Sequence, residues 1–470
     1  MQNKDLSFNP KENTGEAPNT LMIEHVVNYP NTTVNPSTLN LLEKVANFSN
    51  LKRAFKQVKR KKGSPGIDKM SVDFVNNNLT SILSDISAKL LDVSFKPTPV
   101  KRVAIPKQNG KTRNLGIPIV IDRIVQQAIC QIIEPFFDQN FSEYSFGFRK
   151  HKSAKDAVKQ AQAFIAKGYN VFISIDLKQC FDMINHDLLF NQLRNVISDK
   201  RILKFIGRFL RAGISEKGYY SPSSKGAPQG GNLSPLLTNI FLDQIDKHLD
   251  ARGLNYVRYA DDITIFVKSP RAAQRVFDKT VLFIEKKLKL PVNQNKSKIS
   301  SNYADILGFL IRCDNSVFIP SSKINNFKSK IRNITRRSNG KSIPYTIFKL
   351  NQVLRGWFHY FKIAKAKRIL RELDSWIRRR LRAKILKHFK RKKTIFKRLA
   401  RRVNPALARS IAFSHKGIWR LSHTFGMGCA FKVRFFVKIL GLFCLPDNYN
   451  KFLKSDTSGT AVYGSVCSVV

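Results

Sequence analysis

Tyr259-Ala260-Asp261-Asp262 is set between two apolar stretches, in a segment that reads as strands at 255–260 and 262–268. The pattern predicts two strands joined by a tight turn with two carboxylates at its tip. Neighbouring side chains on a strand point to opposite faces, so both acids can act on one side only if they lie in the turn. A third acid, Asp176, ends an earlier apolar run, Tyr169-Asn170-Val171-Phe172-Ile173-Ser174-Ile175. Three carboxylates placed in this way can converge on a pair of divalent cations. Mg²⁺ takes hard oxygen ligands and keeps water and substrate phosphates in its shell. Two such ions about 3.5–4 Å apart serve nucleotidyl transfer. Asp176 and Asp261 are the expected bridging ligands, the backbone carbonyl of Leu177 an additional one and Asp262 a weaker neighbour, with Mn²⁺ able to replace Mg²⁺. An ordinary Asp-Asp turn is the competing reading, and the rest of the chain decides between them.

The 470 residues contain 83 Lys and Arg against 32 Asp and Glu, a formal charge of +51. Such an excess calls for a polyanionic partner. It does not separate an enzyme from a ribosome-like basic protein or a binder of acidic membranes. At 43% hydrophobic residues the chain has enough apolar material for two to four folded domains. Its six cysteines are scattered, with no Cys-x-x-Cys pair, which fits a reducing compartment and small buried side chains. The N-terminal stretch has no secretory apolar region. The apolar stretch Phe435–Leu445 is broken by Lys438 and Gly441 and is too short to span a bilayer, so no membrane partner is expected.

Residues 1 to about 40 are rich in Asn, Thr and Pro and predict a loose extension. Helices are expected from Leu41 to the turn Lys62-Gly63-Ser64-Pro65-Gly66, over 71–91, 121–137 and 153–167. Val100–Pro106 reads as an edge strand with a wet, basic face. Asn109-Gly110 predicts a turn back into Thr112–Ile117. Then follow a strand at 170–176, helices at 186–196 and 200–212, a hairpin at 214–226 and a helix at 235–252. After the acidic hairpin come a helix at 271–288 and strands at 296–300 and 305–311. The order predicts an α+β fold, an antiparallel sheet backed by helices. From Ser321 the composition changes: residues 321–402 hold 28 Lys or Arg and two acids, a formal +26. Ile369, Leu370, Leu373, Trp376, Ile377 and Leu381 still form a helical stripe there, so the region is folded.

Two further motifs support the carboxylate reading. In Asp176-Leu177-Lys178-Gln179-Cys180-Phe181-Asp182, Phe181 can lie under an incoming sugar and exclude a 2′-hydroxyl, or it can simply belong to the core. Asp182 can instead cap the next helix. In Pro228-Gln229-Gly230-Gly231, the glycines allow backbone to approach a base pair and Gln229 offers amide contacts. Lys107 and Arg113 flank the Asn109-Gly110 turn and can meet a triphosphate, and Lys296 can reach the leaving phosphate. A solvated surface is the bland alternative for all three cations.

In order along the chain, these blocks resemble a reverse transcriptase of the group II intron-encoded type. The resemblance runs through Gly63-Ser64-Pro65-Gly66-Ile67-Asp68, Asp122-Arg123-Ile124-Val125-Gln126-Gln127-Ala128 and Tyr144-Ser145-Phe146-Gly147-Phe148-Arg149. It continues past the aspartate and glycine blocks to Leu307-Gly308-Phe309 and Arg355-Gly356-Trp357-Phe358. It implies that Asp176, Asp261 and Asp262 form the metal triad, Phe181 the sugar gate, Lys107 and Arg113 the triphosphate contacts, and Gln229 the nucleotide-pocket amide. It also implies a right-hand polymerase: an N-terminal extension at 1–49, fingers at 50–167, an antiparallel-sheet palm at 168–312 and a helical thumb or maturase domain at 313–385. A basic DNA-binding segment at 386–452 with Lys416 and Arg420 and a tail at 453–470 complete the arrangement. Arg378, Arg379, Arg380 and Arg382 are expected to contact RNA phosphates. The implied partners are structured intron RNA, a template-primer or RNA/DNA duplex, target DNA and dNTPs, with a cytoplasmic, bacterial, nucleoid- or RNA-associated location. The chain shows no HNH-type cysteine and histidine pairs, which resembles compact class IIC-like members. A splicing-only maturase and a host-defence or retron-like reverse transcriptase are the alternatives.

Overall fold

The computed structural model describes residues 38–106, 112–216 and 219–463, without the side chains of Arg113 and of 456–463. Lys107, the Asn109-Gly110 turn, the side chain of Arg113 and residues 1–37 therefore lie outside the described residues. From the N-terminal side come α1 (Leu41–Ala46), α2 (Phe48–Arg60), α3 (Val72–Asn77), α4 (Leu79–Leu91), β1 (Val100–Pro106), β2 (Thr112–Ile117), α5 (Val120–Asp138) and α6 (Ala154–Ala166). Next are β3 (Val171–Asp176), α7 (Cys180–Met183), α8 (His186–Arg194), α9 (Lys200–Arg211), β4 (Ile214–Glu216) and β5 (Tyr219–Ser221). They lead to α10 (Ser234–Ala251), β6 (Asn255–Tyr259), β7 (Asp262–Val267) and α11 (Pro270–Lys287). Short strands follow: β8 (Lys298–Ser300), β9 (Tyr303–Ile306), β10 (Phe309–Arg312) and β11 (Val317–Phe318). The remainder is helical: α12 (Ser321–Ile334), α13 (Ile343–Phe361), α14 (Lys367–Phe389), α15 (Lys392–Ala400), α16 (Pro405–Ala412), α17 (Ile418–Leu421), α18 (Phe425–Ala430), a π-helical turn at Phe435–Ile439 and α19 (Leu445–Tyr463).

The fold is α+β, with small sheets among helices. Its central sheet has the order β6-β7-β3-β8, antiparallel throughout. The two-residue side-chain period explains why β3 and β7 can be almost wholly apolar and still end in acids. One face carries Ile173, Ile175, Ile263 and Ile265 into a core shared with α5, α10 and α11. The other carries Phe172 and Phe266 into a second core, shared with α6 and the C-terminal helices. On that second face the register pairs Phe172 with Phe266, Ser174 with Thr264 and Asp176 with Asp262. The face thus changes from aromatic to hydroxyl to carboxylate along its length.

Two strand expectations are corrected. β1 is no edge strand over its full length, because Val100 and Lys101 also pair in parallel with Ile214 and Ser215 in the sheet β2-β1-β4-β5. The stretch 305–311 is two strands rather than one, since Leu307 at φ 52° and Gly308 at φ 78° turn the chain back on itself. The helix expected from Leu41 is present, within the segment set apart as an extension at 1–49. Leu41, Leu42 and Val45 are buried, Asp199 accepts from the Leu42 amide at 3.0 Å, and α2 runs across the 49/50 boundary. α19 continues into the tail expected over 453–470, as far as Tyr463.

Candidate active site

β6 and β7 pair as far as Tyr259 and Asp262, leaving Ala260 and Asp261 as a two-residue turn. Ala260 has φ 56°, a left-handed backbone that costs an L-residue about 1–2 kcal/mol. Gly147 packs against it, where a Cβ would stand 2.3 Å from the Ala260 nitrogen. Only glycine admits that approach. Asp261 therefore occupies the turn, Asp262 opens β7, and Asp176 lies directly across from Asp262.

One carboxylate oxygen of Asp176 is already engaged. Oδ2 accepts from Asn293 Nδ2 at 2.8 Å and lies 3.3 Å from Lys296 Nζ. The loop that supplies both groups is tied to the strand end, with the Asn293 amide donating to the Asp176 carbonyl at 2.8 Å. Lys296 thus reaches the aspartate cluster as a counter-charge. Asp262 reaches solvent at its tip, yet its carboxyl is raised to about 6. Exclusion of water by the cleft wall contributes most, followed by repulsion from Asp261, Asp176 and Asp305. Asp305 has no counterpart among the expected site residues; it lines the same cleft of about 550 Å³ with Lys298 and Lys323. Leu177 continues past β3 as an isolated bridge to Val292, its side chain buried.

Among the described residues no three His, Cys, Asp or Glu side chains are gathered closely enough to hold a metal ion by themselves. Asp176, Asp261 and Asp262 are therefore not drawn together as the expected triad; Mg²⁺ commonly binds through one or two carboxylates and completes its shell with substrate phosphates and water. The repulsion that adds to burial in raising Asp262 is what a divalent cation would relieve, so the chemistry of the donors fits such an ion.

Beside the aspartates two loops are locked together. The Ala227 amide donates to the Phe181 carbonyl at 2.7 Å, and Gln229 Nε2 donates to Asp182 Oδ2 at 3.1 Å. Asp182 is thus turned to Gln229, while Asn185 caps α8 by accepting from the Leu188 amide at 3.0 Å. Phe181 is half-buried and stands outside both cores. Gly230 has φ 115°, and a Cβ there would meet the Gly116 carbonyl at 2.2 Å. In return the Gly116 amide donates to the Gln229 carbonyl at 2.7 Å, joining β2 to this loop. α5 supports the loop from behind: Gln126 Oε1 accepts from the Asn232 amide at 2.8 Å, and Gln127 Oε1 from Asn232 Nδ2 at 3.1 Å.

The four α14 arginines differ from the expected open phosphate contacts. Each is half-buried and has partners within the chain. Arg378 is paired with Asp374. Arg379 stacks 4.0 Å from the Trp419 ring. Arg380 donates to Thr335 Oγ1 at 2.5 Å, and Arg382 to the Phe431 carbonyl at 3.0 Å. A 23-residue helix that packs against several neighbours recruits its guanidiniums to satisfy their carbonyls and rings. Exposed bases lie earlier in α14 at Lys367, Arg368 and Arg371, and further on at Lys387, Lys390, Arg391, Lys392, Lys393, Lys397 and Arg398, and at the expected Lys416 and Arg420.

Residues 105–311, a span that includes the central sheet and the three aspartates, match the reverse transcriptase (RNA-dependent DNA polymerase) family. Residues 324–404 match the group II intron maturase-specific domain. Protein YkfC of Escherichia coli (strain K12) is 32% identical over 50% of this chain and 72% of its own length. The group II intron-encoded protein LtrA of Lactococcus lactis subsp. cremoris is 31% identical over 51% of each chain, so this chain spans about half of that relative. Nuclear intron maturase 1, mitochondrial, of Arabidopsis thaliana is 24% identical over 34% of this chain and 30% of its own. A solved telomerase from Candida albicans, bound to a telomeric RNA fragment, overlaps 68% of this chain and 65% of its own at 12% identity. Its TM-score of 0.41 is too low to inform the site. The chain belongs to the group II intron-encoded reverse transcriptase/maturase family.

Proposed function

We propose that the protein binds a group II intron RNA, assists its splicing and copies it into DNA at a new site, using dNTPs and an RNA template-primer or RNA/DNA duplex. The observation that carries the polymerase part is the direct pairing of Asp176 with Asp262, with Asp261 in the adjoining turn. In this reading residues 50–167 are fingers, 168–312 palm, 313–385 thumb and 386–452 a DNA-binding segment. Helices α1 and the start of α2 join the fingers. Asp176 and Asp261, with Asp262 and the Leu177 carbonyl, would hold two Mg²⁺ or Mn²⁺ ions, which supply charge stabilisation for phosphoryl transfer when bound. Asp176 offers its second oxygen there while Lys296 neutralises the first. Phe181 would lie against the sugar of an incoming nucleotide, and Gln229, held by Asp182, would face its base. Lys107 and Arg113 would meet the triphosphate. Relatives come from a bacterium and from a mitochondrion, so membership fixes association with nucleic acid rather than a compartment. A compact class IIC-like lineage is part of the proposal, and the fold of the surrounding intron RNA tests it.

Primer extension on RNA with dNTPs and Mg²⁺ is the direct test. Asp261→Asn removes a ligand charge without adding bulk and is expected to lower extension by at least about a hundredfold while thermal unfolding stays cooperative. Extension near the wild-type rate by the folded variant would remove the metal assignment.

A further inference from the structure

We propose that Arg258 is a positioning residue for the catalytic turn, its buried guanidinium gripping the Ala260 carbonyl and so fixing where Asp261 stands relative to Asp176. Arg258 is completely buried, although it is only three residues from Asp261. Its guanidinium is anchored on α10, with Nε 2.7 and 2.9 Å from the two oxygens of Asp246 and Nη2 2.5 Å from Oδ2. Nη1 remains free of that pair. It donates at 3.1 Å to the Ala260 carbonyl and at 3.1 Å to Asn239 Oδ1. Asn239 in turn donates through Nδ2 to the Gly147 carbonyl at 2.7 Å, and Gly147 is the residue pressed against the Ala260 nitrogen. The Arg258 backbone closes the ring, accepting from the Phe146 amide and donating to the Tyr144 carbonyl, each at 2.9 Å. The turn is thereby held from its carbonyl side by Arg258 and from its amide side by Gly147, and Asn239 joins the two.

Two facts favour positioning over simple gluing of β6 to α10. Ala260 adopts a backbone conformation that an alanine keeps only where its surroundings over-determine it. A buried ion pair needed only for adhesion can be replaced by apolar side chains at little cost in stability, whereas the bond to Ala260 cannot. The arrangement requires arginine in particular: a lysine could satisfy Asp246 but lacks the planar fork that reaches Asp246, Asn239 and Ala260 together.

This inference rests on the proposed metal role of the aspartates, and the test separates the two. Mn²⁺ binding to the full-length protein is measured by electron paramagnetic resonance, alongside the Mg²⁺ dependence of extension and the melting temperature. The variants are Asp261→Asn, Arg258→Lys and the charge-free pair Arg258→Met with Asp246→Leu. The paired variant is expected to melt within a few degrees of wild type yet bind Mn²⁺ about tenfold or more weakly, with the Mg²⁺ requirement raised to match, the usual range for losing a group that orients a ligand. Arg258→Lys is expected to show the same weakening and carries the test if the paired variant does not fold. Unchanged Mn²⁺ binding in a folded Arg258 variant, with Asp261→Asn weakened, overturns the positioning role alone. Unchanged binding in Asp261→Asn overturns the metal reading and this inference with it.

Discussion

Like charges facing each other across an antiparallel pair repel, and the pairing of Asp176 with Asp262 is such a conflict placed at the end of an otherwise apolar ladder. Lys296 answers part of it, and Asp262 still holds its proton up to about 6. The residue types are legible in the sequence because the chemistry demands carboxylates and a turn, and Tyr259-Ala260-Asp261-Asp262 supplies both. Asn293 is not, because its partner Asp176 is 117 residues away and no local pattern marks a side-chain amide as a clamp. In sequence Arg258 is no more than a flank of the turn, since nothing in a basic chain distinguishes one buried arginine from its solvated neighbours. Phe181 admits two readings, gate or core, and its half-buried placement outside both cores keeps the gate available. Phe181→Ala is expected to raise ribonucleotide incorporation relative to dNTP by about tenfold or more, as removing a steric filter of this size does. A dNTP/rNTP ratio equal to wild type in single-nucleotide extension would return Phe181 to a packing role.

Among the elements, α5 carries Asp122 and Gln126 as interior struts: Asp122 accepts from the Thr98 amide at 2.9 Å, and its other oxygen is buried with no hydrogen-bond partner among the described residues. Burial first, and Asp68 to a lesser degree, push its carboxyl up to about 7. An unfolded chain releases this proton near the ordinary aspartate value, so the folded state is favoured below that value and the advantage is lost as pH rises through about 7. The total is at most about 4 kcal/mol at 1.36 kcal/mol per pH unit. Asp122→Asn should flatten this dependence, and parallel melting curves of variant and wild type between pH 5 and 8 would argue against a buried, titrating Asp122. Periodicity locates most helices but cannot tell which basic residues face inward, and α14 is the clearest case. Replacing Arg380 or Arg382 by Gln should lower the melting temperature by several degrees, in line with losing a charged hydrogen bond of about 1.5–3 kcal/mol. Replacing Lys392, Lys393, Lys397 and Arg398 by Gln should leave melting unchanged, weaken intron RNA binding and reduce its salt slope by roughly one for each phosphate no longer neutralised. A salt slope that follows the α14 arginines instead would return phosphate binding to that helix.

At the scale of the molecule, the sequence announces a sheet followed by a basic helical region but not that they share an interior. Phe172 and Phe266 of the sheet belong to the same core as Leu350, Leu354 and Phe358 of α13, a meeting of distant segments that no local period encodes. The joint reaches the cleft itself. Tyr360 of α13 donates to the Leu307 carbonyl at 2.8 Å and stacks on Phe309 with ring centroids 5.3 Å apart, pinning the β9–β10 turn that borders the aspartates. Tyr360→Phe keeps the stack and removes the bond, at a cost of about 1 kcal/mol to stability. It should shorten the products made per binding event on a long RNA template without changing intron affinity; full-length products at wild-type yield under single-encounter conditions would refute the link. One consequence concerns regulation. Because a helix of the maturase-specific region holds a border of the cleft, the two are a single thermodynamic system. In the proposed function, an RNA that favoured one seating of α13 would alter the cleft's affinity for a primer duplex by some factor, and the duplex would alter the affinity for that RNA by the same factor.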